Sequence, residues 1–134
     1  MASLTEDARV GDLVKWMINE SFCTEVRTIE AVGGGGTAFF IGDVFVLGTG
    51  VKLVNVGAAN GAAAVAILLE DVLAADDIAD LPNIRFLVRG PALIDPDELV
   101  WTTSATQKTA AIAALAVLKM LPYDPTATWS TQTT

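Results

Sequence analysis

The chain has 134 residues, 52% hydrophobic and 18% charged, with a net charge of −8. That length folds around a single core, the composition is too apolar for disorder, and the charge disfavours nucleic acid and anionic membranes, both of which are bound through Lys/Arg patches. Histidine is absent and Cys23 is the only cysteine, which excludes His-based metal sites, Ser/His/Asp and Cys/His catalysis and any intramolecular disulfide.

A mean hydropathy of +0.51 is high for a soluble monomer and calls for burial against another subunit. Met1 to Gly11 carries acids and lacks an apolar run, so no signal peptide is expected. Leu53 to Leu69, the longest charge-free apolar stretch, is interrupted by Asn55, Gly57, Asn60 and Gly61 and falls short of the roughly 20 residues of a spanning helix. The expectation is a soluble protein made in the cytoplasm. Its acids crowd the middle: Glu70 to Glu98 holds eight acids and two bases, a solvated acidic face.

In chain order, Asp12 to Ile18 has large apolar groups without helical capping or clean alternation, and residues 1–23 read as an extended arm rather than a core element. Thr24 to Val32 is β-branched-rich and favours a strand with one wet face. Thr37 to Ile41, Asp43 to Leu47 and Val51 to Val56 predict three short strands in a meander. Asn60-Gly61 is a type I′ turn signal, followed by the apolar run Ala62 to Leu69, and Ile84 to Arg89 is a further strand. Asp95-Pro96-Asp97-Glu98 predicts a cap, a first-turn proline and a short helical turn holding Leu99 and Trp101. Thr109 to Leu121, with Ile112, Leu115 and Leu118 spaced by three and Pro122 as a stop, predicts the one convincing helix, and its alanine flanks permit close approach by a neighbour. The domain runs over 24–125, with a Thr-rich tail at 126–134. Thr24 to Leu121 is expected to supply the core by itself.

Candidate chemical sites dissolve on inspection. Gly33 to Gly36 suggests a phosphate loop, but no Lys-Ser or Lys-Thr follows and the next residues read as strand. Gly48-Thr49-Gly50 lacks the third glycine of a dinucleotide fingerprint. Asp76, Asp77 and Asp80 lack the spacing and glycine of a calcium loop, and capping accounts for Asp97 and Glu98 better than acid/base work does. Trp16 and Trp129 lie in the segments with the weakest core pattern and read equally as satellite core or interface anchors.

Taken together, Asp12-Leu13-Val14-Lys15-Trp16, the Glu25 to Val32 strand, Ile41-Gly42-Asp43-Val44-Phe45-Val46-Leu47-Gly48, Asn60-Gly61 before Ala66-Ile67-Leu68, Val88-Arg89-Gly90-Pro91-Ala92, and Leu99-Val100-Trp101 before an alanine-rich helix resemble the lambda-like head decoration protein D family. The resemblance runs from about Asp12 to Leu121. The chain departs from the family's pattern at the Gly33 to Gly36 insertion and in the tail beyond Pro125. It implies a mainly β, β-clip or β-tulip-like domain with one C-terminal helix, assembly as a homotrimer, and binding to the major capsid protein on the outer surface of a tailed-phage virion at three-fold and quasi-three-fold positions. There it would cement the shell, with no enzymatic activity, cofactor or metal, and no nucleic acid or membrane partner.

An extended arm of twenty-three residues could reach about 75 Å, and strand addition is the expected mode of binding. Trp16 is the expected anchor, with Leu13, Val14, Met17 and Ile18 packing beside it and Lys15 pairing with an acid on the shell. A trimeric receptor- or carbohydrate-binding module is the alternative. An enzyme built on Asp97, Glu98 and the Asp76 to Asp80 loop comes third.

Overall fold

The computed structural model describes residues 10–31, 38–56, 61–72, 80–101 and 105–123. The fold is mainly β. Five strands, β2 (Thr24–Ile29), β3 (Val44–Leu47), β4 (Leu53–Asn55), β5 (Ala66–Leu68) and β6 (Leu81–Leu87), close into a barrel in the order β2-β4-β3-β5-β6. The long antiparallel ladder from Thr24↔Leu87 to Ile29↔Leu81 seals it. Three further strands, β1 (Val14–Met17), β7 (Ala92–Ile94) and β8 (Met120–Pro122), form a separate sheet in the order β1-β7-β8. The helix α3 (Ala105–Val117) precedes β8, and single turns α1 (Val10–Leu13) and α2 (Glu20–Cys23) bracket β1.

Along β3 and β5 successive residues are buried on both faces, which explains why these two strands read as continuous apolar runs rather than alternating ones, whereas β2 and β6 keep exposed positions such as Val26 and Asn83. Phe45, Ala66, Leu68 and Phe86 join one buried cluster with Ile29 and Leu53 inside the barrel, where the Phe45 and Phe86 rings meet edge-on at 5.0 Å. Their neighbours Val44, Val46, Ile67 and Leu87 point the other way, into a second cluster with Ala92, Ile94, Ala111, Leu115 and Met120. That second layer joins the barrel to α3 and the three-stranded sheet.

Close backbone approach dictates two glycines. A Cβ on Gly61 would lie 2.0 Å from the Gln107 carbonyl oxygen of α3, and one on Gly90 would lie 1.7 Å from that of Lys119. Gly61 opens a 3-10 turn over Gly61–Ala63 and lacks the positive φ of a type I′ turn. Packing against α3, and not turn chemistry, is its reason. Asn60 lies outside the described residues.

Three other expectations are revised. The helix begins and ends about four residues earlier than Thr109 to Leu121, because Lys119 takes a left-handed φ of 69° and turns the chain so that Met120 to Pro122 pairs in parallel with β7. Pro122, expected as a stop, is tolerated there because β8 is an edge strand. The expected meander reduces to the β3-β4 hairpin, and of Thr37 to Ile41 the described residues 38–41 contribute the isolated bridge Phe39↔Val72, Thr37 lying outside them.

The third revision concerns the arm. From Val10 onward it is folded into the body: β1 pairs antiparallel with β7, and Leu13 and Cys23 are fully buried in the outer core. Sequence alternation misses β1 because its register shifts between Val14 and Trp16, an irregularity that breaks the period-two pattern. Thr24 to Leu121 therefore does not supply the core alone.

Candidate interaction surface

The expected anchor residues are placed by β1. Leu13 is 0% exposed, so its side chain belongs to the core and not to a contact surface. Val14 and Met17 are partly buried against the same cluster. Lys15 is exposed, and Trp16 and Ile18 stand 50% and 57% exposed. The strand is held at both ends, since the Asp95 amide donates to the Leu13 carbonyl (2.7 Å) and the Ile18 amide to the Pro91 carbonyl (3.0 Å). Past it, Asn19 caps α2 by accepting from the Phe22 amide at 3.1 Å.

Cross-strand partners share a face of a sheet. Trp16 is opposite Leu93, and Leu93 is opposite Leu121, while Met17, Ala92 and Met120 form the adjacent row toward the core. The sheet therefore presents Trp16, half-buried Leu93 and Leu121, which is 40% exposed, as one outward apolar row. Trp16 is legible in the sequence as a candidate anchor, but Leu93 and Leu121 are not, because their partnership depends on β8 existing as a strand.

On α2, Phe22 is exposed with the Arg89 guanidinium 5.2 Å from its ring centroid. Arg89 also donates to the Phe22 carbonyl and pairs with Glu25, which ties α2 to the end of β6. A shallow groove of about 280 Å³ lined by Glu20, Thr24, Glu25, Val26 and Arg85 is bridged by the Arg85 to Glu20 ion pair at 3.0 Å. A second groove, about 270 Å³, is apolar and lies between the 3-10 turn and α3, lined by Ala62 to Val65 with Ala114, Val117 and Leu118. Val117 on its edge is 78% exposed.

The acids serve the fold. Asp95 caps a 3-10 turn over Pro96–Glu98 through the Asp97 amide, with Pro96 in the first turn as expected. Asp43 is buried, and desolvation pushes its carboxyl above the ordinary aspartate value against the Phe40 amide and the Asn55 side chain, which bond to its charged form. Asp80 binds Lys52 at 2.7 Å and accepts from the Ala31 amide at 2.9 Å; the Lys52 bond, then the amide, lower its pKa. Thr49 lowers that of Glu30 through its side chain and backbone. Asp76, Asp77, the tetraglycine and Trp129 lie outside the described residues. Among the described residues no three His, Cys, Asp or Glu gather as a metal site, and no helix is long and apolar enough to cross a membrane.

What the geometry offers is a small β-protein with outward apolar faces, the architecture of a protein that binds surfaces. The family model of the bacteriophage lambda head decoration protein D matches residues 3–121, and the chain belongs to that family. The family is structural, and membership gives the protein a phage capsid decoration role and a place on the virion capsid. No curated protein matches the sequence.

Proposed function

We propose that the protein is a homotrimeric cement: it binds the major capsid protein on the outer surface of the head at three-fold and quasi-three-fold positions and stabilises the shell. The carrying observation is Trp16, a large aromatic held half-exposed on a strand whose backbone is fixed at both ends. An anchor presented on a rigid element loses little conformational entropy on docking, and buried tryptophans dominate interface energies. Lys15 and Ile18 flank it toward solvent, while Leu13, Val14 and Met17 support β1 from within.

Trimer formation is supported by the α3 groove, where alanines allow close approach and Val117 is left uncovered. Stabilisation of the shell follows by mass action, because a ligand that binds only the intact shell raises its stability. Co-sedimentation with decoration-free capsids tests the reading: the intact protein is expected to pellet with them, and Trp16→Ala to pellet much less at equal concentration. Failure of the intact protein to bind would refute it.

A further inference from the structure

We infer that the docking surface is the whole outer face of the β1-β7-β8 sheet, with Trp16, Leu93 and Leu121 as its apolar centre and Lys15 and Lys119 as its rim, and that its partner is an acidic patch on the major capsid protein. The inference rests on the decoration reading and extends it from the N-terminal segment to residues more than seventy positions away in sequence.

Charge carries the choice of partner. The protein has twice as many acids as bases, and Arg27, Lys52, Arg85 and Arg89 are all committed to ion pairs with its own carboxylates. Among the described residues Lys15, Lys108 and Lys119 form none. Two of these three border one sheet: Lys15 precedes Trp16 on β1, and Lys119 immediately precedes β8. Both are exposed. Of the acids next to the sheet strands in sequence, the Asp95 carboxylate caps the Pro96–Glu98 turn and Asp12 has an interaction of its own.

An apolar centre with a polar, charged rim is the anatomy of a protein interface. On an acidic molecule, uncommitted lysines at that rim select an acidic counterpart and repel a basic one. In the proposed trimer the contact between copies is assigned to the α3 groove, which leaves this sheet for the shell.

The test uses the full-length protein and decoration-free capsids. Leu121→p-benzoylphenylalanine should photo-crosslink to the major capsid protein, and Val51→p-benzoylphenylalanine, exposed on the β3-β4 hairpin, should not. The double variant Lys15→Gln, Lys119→Asn should keep the wild-type melting temperature, because Asn tolerates the left-handed φ of position 119. It should also lower capsid affinity about tenfold at low salt and flatten the salt dependence of binding. A crosslink from position 121 to another copy of the chain would assign the face to subunit contact and overturn the inference. So would an absent crosslink at full occupancy, or unchanged affinity in the double variant. If the unmodified protein fails to bind capsids, the decoration reading falls and the inference with it.

Discussion

The Asp95 amide donates to the Leu13 carbonyl at 2.7 Å, and the Leu13 side chain beside this bond is fully buried. The N-terminal segment proposed to dock on the capsid is therefore, from Val10 onward, also a structural part of the body. Leu13→Ala should destabilise the fold by about 2–5 kcal/mol, the range for truncating a packed leucine. Trp16→Ala, three residues on but half-exposed, should cost much less stability while reducing capsid binding. Urea unfolding of both variants measures the difference. Equal stability losses would mean that Trp16 is a core residue and its role as an anchor is wrong. Deleting residues 1–23 removes β1, Leu13 and Cys23 together and should unfold the protein or leave it far less stable.

Asp43 should give a measurable pH signature. Burial raises its pKa in the folded state, so the folded state holds the proton more tightly than the unfolded chain does. Its contribution is greatest below the ordinary aspartate pKa and is lost as pH rises through the raised value. Relative to Asp43→Asn, the wild type should lose stability as pH increases over that window. Asp80 and Glu30 have lowered values and act in the opposite sense: their contributions are present above the ordinary carboxylate range and are lost on acidification, though exposure keeps them small. Denaturation midpoints for wild type and Asp43→Asn at a series of pH values check this. Parallel curves would contradict it.

Glycine substitutions should separate sharply by position. Gly61→Ala and Gly90→Ala each drive a Cβ into a backbone carbonyl oxygen, which no side-chain rotation relieves, and each should cost about 1–3 kcal/mol or more. Gly11→Ala meets nothing within 4 Å in α1 and should be neutral or slightly stabilising. Thermal melts of the three variants decide the matter.

If α3 carries the subunit contact, placing a charge at its uncovered edge should dissociate the trimer without unfolding it. Val117→Glu is expected to sediment as a folded monomer where the wild type sediments as a trimer, since burying an unpaired carboxylate is strongly unfavourable. A wild-type monomer in solution that trimerises only on the shell would move the same test onto capsids. A variant that still forms trimers would place the contact elsewhere.

The sequence was most legible where local chemistry and fold agree. Asp95 and Pro96 are a cap and a first-turn proline in both, and the β2, β3, β4 and β6 regions read as strands because β-branched and aromatic residues run through them, whereas Ala62 to Leu69 reads only as an apolar run and holds β5. It was least legible where tertiary contacts overrule local pattern. Met120 to Pro122 continues an alanine-rich helical pattern, yet the left-handed turn at Lys119 delivers Met120 to the core as part of a strand. β1 hides behind its irregular register, and the need for glycine at position 61 arises from a helix carbonyl forty-six residues away. The Trp16, Leu93 and Leu121 row could not be assembled from sequence, because it depends on the pairing of three strands distant along the chain.

Electron cryomicroscopy of decorated capsids tests the central claim most directly. The account predicts trimeric density on the outer surface at three-fold and quasi-three-fold positions, with the β1-β7-β8 sheet turned toward the shell and Trp16 in contact with the major capsid protein. Density with that sheet facing solvent, or an undecorated surface at saturating protein, would contradict it.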